Sequence, residues 1–388
     1  MKKIRTYQDF QRNFPTEEAC FQYLIKEKWP NGFQCPKCGN TKAYHIKKRK
    51  IFALPPEISI EDLPDRNAPV PYEIQRAFIE NKRQLSNDAE FIFDLNADFI
   101  WRIQDGKNEY IIDYNRNELK VYKRVHIFQC ISNVCRRQTS VTAGTIMHKT
   151  HLPLLTWFYA IFLMSVNKKG ISSKQLQGMI NVSSKTAWYL THRIRQAMTH
   201  KFSNLPLKGI IQTDEAYFGG KGKGKRGRGA EKKQPVVIGV EERSKMINDE
   251  PTVIVGRALM MVVDNVSANE LVDGFIETHV QPGSMVKSDG WVGYSPLDPT
   301  KFKHHVKTAS EDPDRTHLKL AHQIIGNVKN WLRGIFHGAV GKHLQRYLTE
   351  FTYRLNRRNR VETIFGRLVR NLLLGEPVLY RRLINCEV

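Results

Sequence analysis

The segment Ile210-Ile211-Gln212-Thr213-Asp214 ends an apolar stretch with an aspartate, a pattern typical of a buried β-strand that terminates in a carboxylate. A second segment, Met285-Val286-Lys287-Ser288-Asp289, ends in the same way. A partly buried carboxylate is costly unless a partner such as a cation stabilises it. Each aspartate could instead cap a turn, because Asp is common at strand ends. Taken together, Asp214 and Asp289 are the candidate site for divalent metal ions.

Strand-like and helix-like segments alternate around these two aspartates. Strands are predicted over 209–217, 236–241, 258–263 and 284–288, with a helix over 269–279 before the last of them. Longer helices are predicted over 317–336 and 342–358. Three strands, a helix and a further strand indicate an α/β domain built on a mixed sheet.

The charge balance predicts a polyanionic partner. The 388 residues include 61 Lys and Arg against 38 Asp and Glu, a net charge of +23, although the segment from Ile51 to Val121 is acidic. Such an excess outside one segment is more than solubility requires and points to a polyanionic partner. The longest apolar run, 152–166, is shorter than the ~18 residues that span a bilayer, and the N-terminus is basic and polar. We therefore expect a cytoplasmic, nucleoid-associated protein with no membrane partner.

Four cysteines form two close pairs, Cys35 with Cys38 and Cys130 with Cys135. The first pair lies in Cys-Pro-x-Cys-Gly, which is typical of a metal-binding knuckle, and four thiolates satisfy the tetrahedral preference of Zn²⁺. The second pair has a wider spacing, and the segment of about 46–128 between the pairs has to be looped out, at an entropic cost that grows only logarithmically. The sequence predicts one structural zinc ion, the alternative being four unrelated reduced cysteines.

Two further segments are candidate DNA contacts. Residues 173–198 divide into two helices around Asn181-Val182-Ser183, with Ser183 as the N-cap of the second. This length is typical of a helix-turn-helix that would present Lys185 and Arg193 to a groove, or else of a packed helical hairpin. The glycine-rich segment 219–229 could hold phosphates or be a solvated hairpin tip. Its five cations are Lys221, Lys223, Lys225, Arg226 and Arg228.

Several ordered motifs resemble those of the zinc-ribbon DDE transposases of bacterial insertion sequences, in the ISXO-like group. They are Thr213-Asp214-Glu215-x-Tyr217-x-Gly-Gly-Lys, Ser288-Asp289-Gly290-Trp291-x-Gly293-Tyr294, Asn327-x-Lys329-x-Trp331-Leu332-x-Gly334 and Gln138-Thr139-Ser140-Val141-Thr142-Ala143-Gly144-Thr145. The resemblance covers Cys35 to about Arg358, apart from the insertion.

The resemblance implies an RNase H-like fold with a mixed five-stranded sheet. It implies four regions: a zinc ribbon over 1–145 with the insertion at 46–128, a helical DNA-binding unit over 146–203, a catalytic domain over 204–360, and a tail over 361–388. Asn327 takes the position of the third metal-site residue, where an acid is usual, and Glu350 is the reserve candidate for that acid.

The activity implied is DNA strand cleavage and strand transfer assisted by two Mg²⁺ or Mn²⁺ ions. Asp214 would contact both ions, with Asp289 and Asn327 each holding one. Lys329 and Arg333 could neutralise phosphates on the helix of Asn327, or simply be solvated. The expected partners are the double-stranded ends of the element and its target, bound by a homo-oligomer. The alternative is a non-catalytic DNA-binding or regulatory protein derived from such an enzyme.

Overall fold

The computed structural model describes residues 3–53, 90–93, 100–105, 108–113, 118–199, 205–219, 233–336, 341–378 and 380–385. The chain forms two compact units, one of residues 8–143 and 149–158, the other of residues 1–7, 144–148 and 159–388. Across the described ranges, every helix is too short or too polar to cross a lipid bilayer.

The first unit combines two helices with an antiparallel sheet. Helices α1 (Tyr7–Asn13) and α2 (Glu17–Lys28) come first, and the Thr16 side chain caps α2 by accepting a hydrogen bond from the backbone N–H of Ala19. The sheet has the order β1-β5-β4-β3-β2, with β6 paired to β5. Its strands are β1 (Ala43–Ala53), β2 (Glu90–Phe93), β3 (Ile100–Asp105), β4 (Asn108–Asp113), β5 (Glu118–Cys130) and β6 (Gln138–Ser140). The segment between the cysteine pairs thus extends the sheet of the zinc ribbon.

Three helices follow: α3 (Leu154–Val166), α4 (Ser173–Ile180) and α5 (Ser184–Met198). Asn181 ends α4 in the left-handed conformation (φ 48°), which Asn tolerates better than most residues. The Ser183 side chain accepts a hydrogen bond from the backbone N–H of Thr186 and begins α5. The predicted pair of helices and its N-cap are therefore confirmed.

A five-stranded mixed sheet organises the second unit. Its strands are β7 (Ile210–Phe218), β8 (Gln234–Ile247), β9 (Glu250–Val262), β10 (Met285–Ser288) and β11 (Lys303–Val306), in the order β11-β10-β7-β8-β9. β7, β8 and β9 pair antiparallel, whereas β10 runs parallel to both β7 and β11. Asn248 and Asp249, both with positive φ, form the two-residue turn between β8 and β9. This is the RNase H-like arrangement that the resemblance implied.

Helices cover both faces of this sheet. A π-helix (Asn269–Ile276) continued by α6 (Glu277–His279) packs on one face, with Phe275 and Ile276 fully buried. The other face carries α7 (Lys319–Ile335) and α8 (Leu344–Leu355), whose apolar residues pack against Val236, Ile238 and Val240 of β8. Helices therefore cover both faces of the sheet, and a polar side chain that is buried beneath them requires a hydrogen-bonding partner.

The C-terminal region differs from the predicted tail. Residues of α9 (Ile364–Leu374), including Phe365, Leu368 and Val369, are fully buried, and a short α10 (Tyr380–Asn385) follows. The apolar positions of α9 recur at helical spacing. The segment after 360 is thus part of the packed structure, and β11 is a further strand that the sequence patterns did not indicate.

Candidate active site and zinc site

Asp214 and Asp289 occupy aligned positions on two neighbouring parallel strands. The register of β7 and β10 pairs Met285 with Ile210 and Lys287 with Gln212. Continued by two residues, this register places Asp289 beside Asp214. Neighbouring strands lie about 4.8 Å apart, and side chains aligned in this way point to the same face of a sheet. The backbone therefore brings the two predicted aspartates together on one face.

That face is the one covered by α7. Gln212 points to it from β7, and its Oε1 accepts hydrogen bonds from the backbone N–H groups of Leu320 and Ala321 at 2.8 and 3.0 Å. These bonds satisfy two N–H groups in the first turn of α7, which has no side-chain cap of its own. Because Gln212 lies two residues before Asp214, β7 fixes the start of α7 beside that aspartate.

His322 is the α7 residue that contacts Asp214. Its Nε2 lies 3.2 Å from Oδ2 of Asp214, whose side chain is 15% exposed. The hydrogen bond to Asp214 raises the pKa of His322, against an opposing effect of burial. The other oxygen of Asp214, Oδ1, accepts a hydrogen bond from the backbone N–H of Glu215 at 2.8 Å. His322 thus places a ring nitrogen against Asp214, at a position that motif reasoning missed.

Asn327, the predicted third metal-site residue, lies on a different side of α7. At about 100° per residue, it is displaced by about 140° around the helix axis from His322. The two side chains leave α7 at opposite edges of its buried stripe, which includes Ile324 and Val328, and Asn327 is exposed. The role of Asn327 as a third metal-site residue stays a prediction, and it is His322 that α7 turns toward Asp214.

Lys329 lies on the same side of α7 as the contact to Asp214. Its Nζ is 5.5 Å from the ring centroid of Phe218 on β7. Burial lowers the pKa of Lys329, nearby Lys233 lowers it further, and Asp214 opposes both. The ammonium group is therefore within electrostatic range of the aspartate. Arg333, one turn further along α7, is exposed. Periodicity alone could have grouped His322 with Lys329, since seven residues make nearly two turns.

The donor atoms of Asp214, Asp289 and His322 do not form a closed cluster in the described part of the chain. In the described part of the chain, the four zinc-ribbon cysteines form the one group of three or more potential ligands whose donor atoms lie within 4.8 Å of one another. Oδ2 of Asp214 is turned to His322, and Oδ1 of Asp289 accepts a hydrogen bond from the backbone N–H of Trp291 at 3.1 Å.

Glu350, the reserve candidate for an acid, is a buried structural anion. It lies on α8 with no exposed side-chain surface. Its Oε2 is 2.7 Å from Nε of Arg195, and its Oε1 is 2.9 Å from Nη2 of Arg354. Burial alone would raise the pKa of Glu350, but the two arginines hold it below its usual range. Two arginines already neutralise this carboxylate, so the structure argues against a catalytic role for it.

The four predicted zinc ligands converge. The Sγ atoms of Cys35 and Cys135 are 3.7 Å apart, and those of Cys38 and Cys130 are 3.6 Å apart. A tetrahedron with Zn–S bonds of about 2.3 Å has S–S edges of about 3.8 Å, so the cluster fits zinc. Hydrogen bonds from the backbone N–H groups of Cys38 and then Lys37 lower the pKa of Cys35 to about 6, which favours the thiolate that a metal requires.

The knuckle geometry explains how local sequence builds this cluster. The backbone N–H of Gly39 bonds the carbonyl of Cys35 at 2.9 Å, closing a tight turn in which Gly39 has a φ of 73°. Glycine adopts this left-handed conformation without steric cost. On the other side, the N–H of Cys130 bonds the carbonyl of Arg137 at 3.0 Å. The wider spacing of the second pair is therefore compatible with a closed site.

The predicted recognition helix α5 is mostly buried, which corrects the assignment of Arg193 to DNA. Arg193 is 3% exposed; its Nη2 donates to the carbonyl of His148 at 2.8 Å, and its guanidinium lies 5.0 Å from the ring centroid of Tyr189. Lys185 is exposed at the start of α5, with Nζ 5.0 Å from the ring centroid of Tyr380. The alternative of a packed helical hairpin therefore describes α5 better than a groove-reading helix.

The five cations predicted to hold phosphates lie outside the described residues, so their assignment stays a prediction. They are Lys221, Lys223, Lys225, Arg226 and Arg228. The strand that leads into them, β7, is the strand that carries Asp214. Their proximity in sequence to that aspartate remains the basis for the prediction.

Two family models match the chain. Residues 15–53 match the transposase zinc-ribbon domain, and residues 206–356 match a transposase domain, so the two segments are similar to the two parts of a zinc-ribbon transposase. The particular family of the second match is the ISXO2-like transposase domain, which confirms the resemblance seen in the motifs. No curated protein sequence matches the chain. A match to the crystal structure of a pre-cleavage Mos1 transpososome covers 57% of this chain and 79% of that chain at 11% sequence identity. The TM-score is 0.16, which is too low to support a shared fold.

Proposed function

We propose that the protein cleaves and rejoins DNA at the ends of an insertion sequence, using two divalent ions held by Asp214, Asp289 and His322. The observation that carries this proposal is the alignment of the two aspartates on one face of the sheet, with His322 in contact with Asp214. The ISXO2-like transposase domain supports it, because the matched range contains all three residues.

The donor set fits such ions. Carboxylate oxygens are the ligands that Mg²⁺ and Mn²⁺ prefer, and a neutral imidazole can complete the set for Mn²⁺ and softer ions. When bound, these ions supply activation of the attacking oxygen and stabilisation of the leaving oxygen. The chain itself positions DNA and balances charge: Lys329 lies on the side of α7 that faces Asp214, with Nζ near the ring of Phe218, and Arg333 follows on α7 where a flanking phosphate could reach it.

The same proposal assigns the remaining regions. The zinc ribbon, the exposed start of α5 with Lys185, and the glycine-rich cations of 219–229 engage the element ends. Two ends must be processed together, so the active form is an oligomer on DNA. The protein acts on chromosomal DNA in the bacterial cytoplasm.

The test is cleavage of a labelled duplex carrying the element's own ends, with Mg²⁺ or Mn²⁺. Asp214→Asn, Asp289→Asn and His322→Ala should each lower the cleavage rate by more than about 100-fold, because even residues that only orient metal ligands contribute 10–100-fold. Asn327→Ala, on the same helix, is the matched control and should stay within about threefold of wild type.

Each outcome separates the alternatives. Equal cleavage by wild type and both aspartate variants, or no cleavage by any, would favour a non-catalytic DNA-binding protein. Loss of cleavage in Asn327→Ala with retention in His322→Ala would return the third position to Asn327. In every case, circular dichroism of each variant establishes that it is folded.

A further inference from the structure

A cleft rich in arginine lies away from the aspartates, where the β8–β9 hairpin meets the end of α8. The cleft has a volume of about 460 Å³. Arginines from three elements line it together with polar and small residues, and no carboxylate is among the lining residues. Its six arginines are Arg243, Arg257, Arg357, Arg358, Arg360 and Arg367.

Some of these arginines build the wall of the cleft. Arg257 bonds Glu241 and the carbonyl of Leu205, and Arg358 bonds the carbonyl of Gly256 at 3.0 Å. Arg357 lies 3.7 Å from the ring centroid of Tyr353 and is half-buried. These contacts hold guanidinium groups in fixed orientations, as a preorganised anion site requires.

The other arginines present charge to solvent. Arg243 is 58% exposed and contacts Glu241 at a long 3.4 Å. Arg360 and Arg367 are exposed, and their side chains make no ion pair or hydrogen bond with any described residue. Of the nearby carboxylates, Glu241 is already bonded to Arg257 at more than one nitrogen, and Glu362 lines the adjoining cavity. With six arginines in its lining, the cleft carries a net positive charge.

The guanidinium groups in the cleft lie close enough together for their positive charges to repel one another. Burial lowers the pKa of Arg358, and Arg243 lowers it further. Burial also lowers the pKa of Arg357, where Tyr353 opposes the effect and Arg367 adds to it. A bound anion would relieve this repulsion, and guanidinium groups match phosphate oxygens in a bidentate geometry.

The position of the cleft suits a long polyanion better than a small one. A neighbouring cavity shares Arg358 and Asn359 with it and adds Arg5, Lys168 and Arg354 to its lining. Along β8, Arg243 lies five residues beyond Ile238, the partner of Asp214, which corresponds to about 17 Å. The cleft also borders α8, which packs on the same face of the sheet as α7.

We propose that this cleft binds the sugar-phosphate backbone of duplex DNA, independently of sequence, about five base pairs from the phosphate held at Asp214. The inference rests on the proposed function for the presence of DNA, and it adds a contact region distinct from the metal site and the zinc ribbon. Backbone contacts of this kind position a duplex without reading its bases.

The experiment measures binding of the full chain to a fluorescent 20-base-pair duplex of arbitrary sequence, in EDTA, over a range of NaCl concentrations. The double variant Arg360→Gln/Arg367→Gln is compared with Lys301→Gln/Lys303→Gln, which removes equal formal charge just before and at the start of β11, on the far edge of the sheet. Each lost phosphate contact should lower the slope of log K against log salt by about 1. The cleft variant should therefore lose about 2 in slope and bind about 10- to 60-fold more weakly at 0.1 M salt.

The outcomes are distinct from those of the cleavage test. If wild type binds and both double variants keep its slope, or lose it equally, the cleft is not a DNA site, whatever the cleavage result. If millimolar phosphate or pyrophosphate binds the cleft but the duplex slope is unchanged, the site takes a small anion and the proposal fails. If wild type does not bind duplex DNA at all, the proposed function fails with it.

Discussion

Glu350→Gln separates a structural carboxylate from a catalytic one. The substitution keeps the size of the side chain but removes its charge and replaces one accepting oxygen with an NH2 donor. In the protein, Glu350 accepts hydrogen bonds from Nε of Arg195 and from Nε and Nη2 of Arg354. Arg195 is also fully buried, and its two terminal nitrogens have no other hydrogen-bond partner among the described residues. Removing the charge therefore leaves a buried guanidinium without its counterion.

The magnitude follows from that burial. Breaking a fully buried ion pair by neutralising one partner costs about 3–5 kcal/mol of unfolding free energy. Arg195 keeps its contacts with the rings of Tyr347 and Phe336, at 4.4 and 5.2 Å, which places the estimate at the lower end of the range. For a folding unit of 150–250 residues, about 3 kcal/mol corresponds to a fall in Tm of about 6–12 °C.

The assay is urea or thermal unfolding of wild type and Glu350→Gln between pH 3 and 8. Because the folded-state pKa of Glu350 is below its unfolded value of about 4.3, the stabilisation is complete above that value and is lost as pH falls through the folded pKa. The difference between the proteins should thus be largest near neutral pH and shrink at acid pH. Cleavage per folded molecule should be unchanged at 20 °C. Equal stability at pH 7, or lost cleavage in a fully stable variant, would refute the structural role.

Two further predictions concern metal ions. His322→Glu exchanges an imidazole for a carboxylate at the contact with Asp214, so cleavage with Mg²⁺ should rise relative to Mn²⁺ by about 10-fold, as measured by parallel rate titrations; an unchanged ratio would mean that His322 does not bind the ion. Purified protein should contain one zinc per chain by elemental analysis, and Cys35→Ser should lose it whereas Cys20→Ala, a buried cysteine outside the cluster, should retain it; equal zinc in both variants would exclude the four-cysteine site.

The local sequence pattern was sufficient to predict the strands that lead to the two aspartates and both cysteine knuckles. The two aspartates follow apolar segments that alternate with period two, and the strands predicted at 209–217 and 284–288 correspond to β7 and β10. Cys35 and Cys38 are held by a turn whose requirements are carried by neighbouring residues, above all Gly39. Hydrogen bonds between residues that are close in sequence depend on the local residue types, so they can be predicted from the sequence.

The contact of His322 with Asp214 could not be predicted in this way. The motif centred on Asn327 drew attention to the same helix but to another side of it. The side of α7 that meets Asp214 depends on its rotation about its own axis, which Gln212 sets through its hydrogen bonds to Leu320 and Ala321. That contact joins residues more than one hundred positions apart.

Charge alone also misassigned two residues. Arg193 and Glu350 look like surface groups on amphipathic helices, yet both are buried because partners from distant segments, His148 and Arg195, satisfy them. The sequence by itself determined the zinc ligands, the strands and the paired aspartates, since those depend on short-range spacing and polarity. Only the tertiary structure decided which side chains surround Asp214, which charges are structural and where the exposed arginines gather, because burial and electrostatic pairing are properties of packed neighbours.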